Sequence, residues 1–390
     1  YTNWLWVSSK GSHKKEKKDL KALVIGGHLS PALSVIEALP KNTKILFVGR
    51  KYSFEGDKAK SLEYETINSL KIPFAQIVMS RWQRKFTRHS INSLLKFPVG
   101  VLQSLFILLK FKPDVVLGFG GYVSLPVAIA AYFLRVPVVI HEQTLEAGFS
   151  NKIISTWAWK VCISWDSSRP FFPKDKTVFT GNPIRKFSIF NFQFSIDKKL
   201  PTIYITGGSS GSHFINKLVE GCIPDLLKKF NVIQQTGESK FDDFDRLTAL
   251  RKSLLPPQRE RYVLKKFVVP SDVGSILKNC DLVICRAGIN TITELIYFEK
   301  PAILIPLPVS QNNEQLKNAR FLEKIKLGKV LPQNEIDSKK LYEAVTLMFG
   351  NIKEYGSNSG ELLRSQIKEA ASNIVKILEY VGREKKNEKL

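Results

Sequence analysis

The sequence predicts an α/β protein built as two doubly wound parallel-sheet domains that face each other across a cleft. At 390 residues the chain exceeds the size at which one hydrophobic core usually keeps growing. Short aliphatic runs, each closing on glycine or a polar residue and leading into a helical pattern, recur from Leu20 onward, the rhythm of strands alternating with helices. That rhythm breaks over residues 187–199, rich in aromatic, Asn, Ser and Lys residues without a clean period, and restarts at Thr202.

In chain order, residues 1–18, with Trp4, Trp6 and a lysine run, read as a disordered basic extension. Strands are expected over 22–25, 44–48, 114–117, 136–140 and 160–163, within a first domain spanning 19–185. Residues 186–200 form the linker. Strands over 202–208, 232–235, 262–268, 281–285 and 302–305 build a second domain spanning 201–360. In the tail, Leu362, Leu363, Ile367, Ala370, Ala371, Ile374, Val375 and Leu378 fall near helical spacing, so 361–382 is expected to be an amphipathic helix packing back on the first domain.

Composition narrows the class. With 44% hydrophobic and 24% charged residues the chain is globular rather than disordered. Its 59 Lys plus Arg against 35 Asp plus Glu give +24, a field that attracts phosphorylated substrates, anionic lipid or nucleic acid. Cys162, Cys222, Cys280 and Cys285 lack CxxC spacing, which argues against a zinc site or a disulfide framework and fits a reducing compartment. The apolar run 97–109, bounded by Lys96 and Lys110, is shorter than the roughly 20 residues of a spanning helix.

Two strand-to-helix corners of the second half carry chemistry. Gly207, Gly208, Ser209, Ser210 and Gly211 have the form of a phosphate cradle, in which glycines let backbone N–H groups approach an anion; a plain tight turn reads the same way. In the second, the helix beginning at Ile289, Asn290, Thr291, Ile292 and Thr293 would turn free N–H groups to a diphosphate. Glu294, one turn on, suits the vicinal hydroxyls of a ribose, or else complements the helix dipole. The amide-rich stretch from Gln311 through Gln315 to Asn318 suits the hydroxyls and acetamido group of a sugar, or is a solvated loop.

In the first half, Gly26, Gly27 and His28 follow the opening strand, and GFGGY at 118–122, with Gly120, Gly121 and Tyr122, follows another. Both corners place backbone amides at carboxyl ends of strands. His28 is the candidate general base, since a neutral imidazole can take a hydroxyl proton; the competing role is to position a phosphate or close the turn. Glu142 is held in reserve. His141 and Glu142 are too close for a helical HExxH zinc pair.

The glycine loop at 207–212, CRAG at 285–288 with Thr291 and Glu294, and the Gln315/Asn318 helix, in that order, resemble the MurG family, UDP-N-acetylglucosamine:undecaprenyl-diphospho-muramoylpentapeptide N-acetylglucosaminyltransferases of family 28. The resemblance covers most of the chain and implies the GT-B arrangement of two Rossmann-like domains. It implies donor contacts by Ser209, by the backbone near Val269 or Pro270 to uracil, by residues Ile289 to Glu294, and by Gln315 to the sugar. It gives Arg185, in TGNPIR, a role at the domain junction, where its charge would stabilise departing UDP. On the acceptor side it implies Gly26, Gly27, His28, Gly120, Gly121, Tyr122 and Thr144. The chain departs from the family's GGTGGH loop, running from Ile25 through two glycines directly to His28, and has Thr144 where the family has Asn.

Arg81, Trp82, Arg84, Lys85, Phe86 and Arg88 mix cations with aromatics ahead of an apolar helical pattern, as an interfacial membrane anchor would; the alternative is a buried helix with a basic loop. No RNA-binding signature accompanies them, so no nucleic-acid partner is expected. The implied activity is transfer of N-acetylglucosamine from UDP-N-acetylglucosamine to undecaprenyl-diphospho-muramoyl-peptide, with inversion, at the cytoplasmic face of the cell membrane. No metal is required by any DxD-like cluster, although Mg²⁺ could assist the diphosphate. The rivals are a related transferase using another lipid acceptor and a non-catalytic nucleotide-sugar-binding membrane module.

Overall fold

The computed structural model describes residues 19–52, 60–77, 88–185, 199–208, 210–238, 241–356 and 361–387; the side chains of 88–96, 270, 271, 311 and 385–387 lie outside that description. The basic extension 1–18, Ser209, the residues from Arg81 to Phe86 and most of the linker fall outside it too.

Among the described residues the first domain holds β1 (Lys21–Ile25), β2 (Lys44–Gly49), β3 (Phe74–Gln76), β4 (Val115–Gly118), β5 (Val138–Glu142), β6 (Lys160–Ile163) and β7 (Thr177–Phe179). The second holds β8 (Thr202–Thr206), β9 (Asn231–Gln235), β10 (Tyr262–Lys265), β11 (Leu282–Cys285), β12 (Ala302–Leu304) and β13 (Gly328–Val330). The sheet orders are β3-β2-β1-β4-β5-β6-β7 and β10-β9-β8-β11-β12-β13, with every pairing parallel. Helices cover both faces of such sheets, which is why strands such as β1 and β11 read as unbroken aliphatic runs and are buried along nearly their whole length.

In each sheet the order reverses once, between β1 and β4 and between β8 and β11. Connections leave those neighbours in opposite directions and open a crevice at their carboxyl ends, where doubly wound folds take ligands. Ile25 lies in register with both Val48 and Gly118, and Cys285 with Thr206. The glycine corners singled out above therefore flank the two crevices.

The tail forms one helix, Glu361–Asn387. Ile367 enters the core of the second domain, whereas Ile374, Val375, Leu378 and Val381 enter that of the first beside Ala22, Val24 and Leu117. A single helix thus bridges both cores. Its close approach requires a glycine at 181, where φ is +83° and a Cβ would stand 2.7 Å from the Gln366 carbonyl oxygen.

Candidate active site between two switch points

The donor crevice is built on two glycine corners. After β8, Gly207 and Gly211 fold the loop tightly, and a Cβ on Gly211 would meet the Thr236 carbonyl at 2.0 Å. Gly208 (φ +86°) and Gly288 instead face open space, on the two strands that flank the reversal. Helix Ile289–Phe298 begins at Gly288 with no side-chain cap and no acidic residue in its first turn, leaving its leading amides for a ligand.

Between these corners sits Arg286. Its guanidinium donates to Ser212 Oγ (2.8 Å) and to the carbonyls of Ile305 (2.9 Å) and Pro306 (3.3 Å), tying together the mouths of β8, β11 and β12. All three acceptors are neutral, and burial pulls its pKa down from the ordinary arginine value. A cation so placed has its electrostatic complement in an arriving anion. In the sequence Arg286 stands within CRAG with no role of its own; its signal is an arginine one residue beyond a strand end and three before a helix start.

Glu294 is half-buried on the same helix, and burial pushes its carboxyl up to about 7, with the Arg185 guanidinium pulling partly the other way. Arg185 feels Glu37 of the first domain and Glu294 of the second, which places it at the junction. Val269 is exposed at the head of helix Pro270–Asn279, beyond the β10 edge.

Several assignments are narrowed by the packing. The side chains of Ile289, Ile292 and Thr293 are buried, and Thr293 Oγ1 accepts from Asn182 Nδ2 (2.7 Å) across the domain junction, so these residues offer a donor at most their backbone. The Ile292 amide is already bonded to Gly288 O (3.0 Å). Gln315 turns its amide oxygen to the Leu307 N–H (2.9 Å), holding the loop after β12, whereas Glu314 lines the cleft; helical spacing puts these neighbours about 100° apart.

The acceptor crevice opens on a cleft of about 670 Å³ lined by His28, Gly120, Gly121, Tyr122 and the 142–151 turn from the first domain, with Glu314, Lys317 and Asn318 from the second. Asn318 Nδ2 donates to Ala287 O (3.0 Å), so the floor of this cleft touches the head of the donor helix. Burial lowers the His28 imidazole to about 4, which leaves it neutral near pH 7 and able to accept a proton.

Two acceptor assignments fail on hydrogen bonding. The Gly26 N–H is spent in the sheet on Val48 O (2.8 Å), and the Gly27 N–H donates to Glu63 Oε1 (3.2 Å), so these two amides are not presented to a phosphate, whereas the helix that starts at Leu29 has no side-chain cap at His28. Glu142 accepts from Thr144 N (3.1 Å), Thr144 Oγ1 (2.6 Å), Gly148 N (2.8 Å) and Asn151 Nδ2 (2.9 Å). Those four donors fill its lone pairs and make it the organiser of the turn, and they also occupy the Thr144 hydroxyl. His141 is fully buried and bonds through Nε2 to Ser164 Oγ (3.1 Å) and Gly181 O (3.2 Å), a joint of the fold.

Two parallel-sheet domains, each with a glycine corner where its strand order reverses and both opening on one cleft, have the GT-B architecture found in two-domain glycosyltransferases. Residues 25–163 match the glycosyltransferase family 28 N-terminal domain and residues 202–374 the family 28 C-terminal domain. A UDP-N-acetylglucosamine–N-acetylmuramyl-(pentapeptide) pyrophosphoryl-undecaprenol N-acetylglucosamine transferase of Natranaerobius thermophilus is 33% identical, covering 91% of this chain and 96% of that protein. The protein of the same description from Bacillus subtilis is 31% identical, with 91% and 96% covered. The crystal structure of Acinetobacter baumannii MurG superposes with a TM-score of 0.67 at 25% identity over 93% of this chain and all of that one. The chain belongs to glycosyltransferase family 28 and, within it, to the MurG family.

Proposed function

We propose that the chain transfers N-acetylglucosamine from UDP-N-acetylglucosamine to the 4-hydroxyl of the muramoyl sugar on undecaprenyl-diphospho-muramoyl-peptide. The observation that carries this is the meeting of both crevices on one cleft, through Asn318 and Ala287. The donor diphosphate is held by Arg286, the corner at Gly208 and the amides after Gly288, and Glu294 accepts from the ribose hydroxyls. His28 takes the proton of the acceptor hydroxyl as its oxygen bonds to the anomeric carbon. The bond from that carbon to the diphosphate oxygen breaks from the opposite side, which inverts the centre. UDP leaves with one more negative charge, which Arg286 and the helix amides stabilise, with Arg185 at the junction. The groups on the diphosphate are cations and N–H donors, unsuited to holding Mg²⁺, so turnover is expected to survive EDTA; an ion carried on the donor would show as a loss.

The site of action we propose is the cytoplasmic face of the membrane. Val99, Leu102, Phe106 and Leu109 form one exposed stripe at helical spacing on helix Arg88–Phe111, Tyr132 and Phe133 are exposed on helix Ser124–Phe133, which packs against that helix, and the cations Lys110, Lys112 and Arg135 are close in sequence. A purely buried helix would not leave Leu102 and Phe106 about two-thirds exposed (66% and 67%). No helix of the described residues is long and apolar enough to cross a membrane.

Incubation with labelled donor and either the muramoyl-peptide lipid or diacylglycerol tests the reaction. Labelling of diacylglycerol alone would overturn the acceptor, and donor binding without any turnover would leave a non-catalytic module. His28→Ala is expected to lower kcat about 100-fold with donor affinity retained. Unchanged turnover would remove His28 from the mechanism.

A further inference from the structure

A loop that receives a diphosphate must keep its carbonyl oxygens turned away, because a carbonyl dipole aimed at a phosphate repels it. In the donor loop this is least secured by the backbone at Gly208. That residue sits at φ +86° with nothing within 4 Å of a Cβ, so steric contact alone would not stop its peptide from turning over. Its polar groups are nevertheless held from beneath. The N–H donates to Thr206 Oγ1 (3.0 Å), and the carbonyl oxygen accepts from the Gly211 N–H (3.0 Å) and from Gln235 Nε2 (3.2 Å). Of these three partners, Gln235 is the one that comes from another strand.

Gln235 ends β9 and lies in register with Thr206 at the end of β8. Its side chain is buried, and its amide oxygen accepts from the Tyr204 hydroxyl (3.0 Å). The orientation of that amide is fixed, since turning it over would set its oxygen against the Gly208 carbonyl oxygen. Tyr204 is buried as well, and burial pushes the pKa of its phenol up, so the hydroxyl stays a donor near neutral pH. A glycine pair brings the loop onto the end of β9, where a Cβ on Gly237 would stand 2.2 Å from Gly211 Cα. Tyr204, Gln235 and Gly208 thus form a line of hydrogen bonds from the sheet to the underside of the loop. Both side chains are too buried to meet a nucleotide themselves, at 2% and 4% exposure.

We infer that Gln235 is a positioning residue of the donor site, anchored by Tyr204: it pins the Gly208 carbonyl on the sheet side of the loop, so that its dipole does not oppose the diphosphate. This rests on the reading that the loop after β8 receives the donor diphosphate.

The test uses the full chain, calorimetry with UDP and with uridine, and thermal unfolding. Gln235→Leu is expected to weaken UDP about fivefold or more, as loss of a buried hydrogen bond does, with uridine affinity within about twofold because uridine brings no phosphate. That variant leaves the Tyr204 hydroxyl without its acceptor and should also lower Tm. Tyr204→Phe/Gln235→Leu removes both members of the buried pair and should recover most of the Tm, while UDP stays as weak as in Gln235→Leu, since the donor to Gly208 is still missing. Tyr204→Phe alone keeps that donor but frees its amide to turn, and should weaken UDP about threefold. UDP affinity that returns with Tm in the double variant shows a merely structural role and overturns the proposal, as does uridine weakening in step with UDP. UDP affinity unchanged in Tyr204→Phe removes Tyr204 as the anchor. UDP affinity lost in Arg286→Met but kept in Gln235→Leu overturns the role of Gln235 while the donor site stands. A parent chain without affinity for UDP overturns the donor-site reading, and the proposal with it.

Discussion

Replacing Glu294 with Gln should make the protein more stable and the donor site worse, with both effects set by one half-buried residue's carboxyl. Burial raises that carboxyl from 4.5 to about 7 in the folded chain, with the charge of Arg185 offsetting part of the effect. An acid whose folded pKa lies above its unfolded value binds more protons folded than unfolded between the two, so stability falls as pH rises from about 4.5 through about 7. Above pH 7 the full displacement costs on the order of 3 kcal/mol. Gln carries no charge and escapes that cost, though its amide meets Arg185 less well, so a net gain of about 1–3 kcal/mol at pH 8 is expected. At pH 5, where the parent residue is protonated, the gain should shrink toward zero. Donor binding is expected to move oppositely: in the proposed role the carboxylate accepts from both ribose hydroxyls, whereas Gln offers a single carbonyl oxygen. Affinity for UDP-N-acetylglucosamine should fall about tenfold or more. In the parent chain, affinity should weaken as pH drops below about 7, since the proposed ribose contact uses the ionised form. Thermal unfolding at pH 5 and pH 8, with calorimetry of donor binding, reads all of these. A variant less stable at pH 8, or one binding donor as the parent does, would refute the reasoning.

Other residues give independent checks. Arg286→Met should weaken UDP about tenfold while leaving uridine affinity unchanged, since only the phosphates meet the guanidinium; calorimetry with the two ligands separates them. Gly211→Ala forces a Cβ to within 2.0 Å of the Thr236 carbonyl at a φ of +74°, so a loss of about 2 kcal/mol or more in thermal stability and a distorted donor loop are expected. Asn182→Ala removes the buried bond to Thr293 and should cost about 1–2 kcal/mol, read by denaturant unfolding. Leu102→Glu with Phe106→Glu should abolish sedimentation with anionic vesicles while sparing donor binding.

The sequence by itself determined the strand-and-glycine rhythm, hence the two doubly wound sheets, because the same residues that drive strand burial also end the strands. It determined the glycine corners and singled out Glu294 and His28 as candidates, since those features lie within a few residues of strand ends. It missed β3, β7 and β13, three-residue strands at sheet edges that carry too few residues for a period to show. The tertiary structure alone decided which groups converge across long separations. Arg50 meets Tyr122, Glu63 meets Gly27, and Asn182 meets Thr293 only after the chain has wound its strands in the order that sets β1 between β2 and β4. Hydrogen-bond occupancy is likewise invisible in a linear pattern. Glu142 reads as a free carboxylate until the fold delivers four donors to it, and Gly27 reads as a phosphate amide until a carboxylate from 36 positions away claims it. A local motif fixes which atoms are offered, and only packing fixes which of them are still available to a ligand.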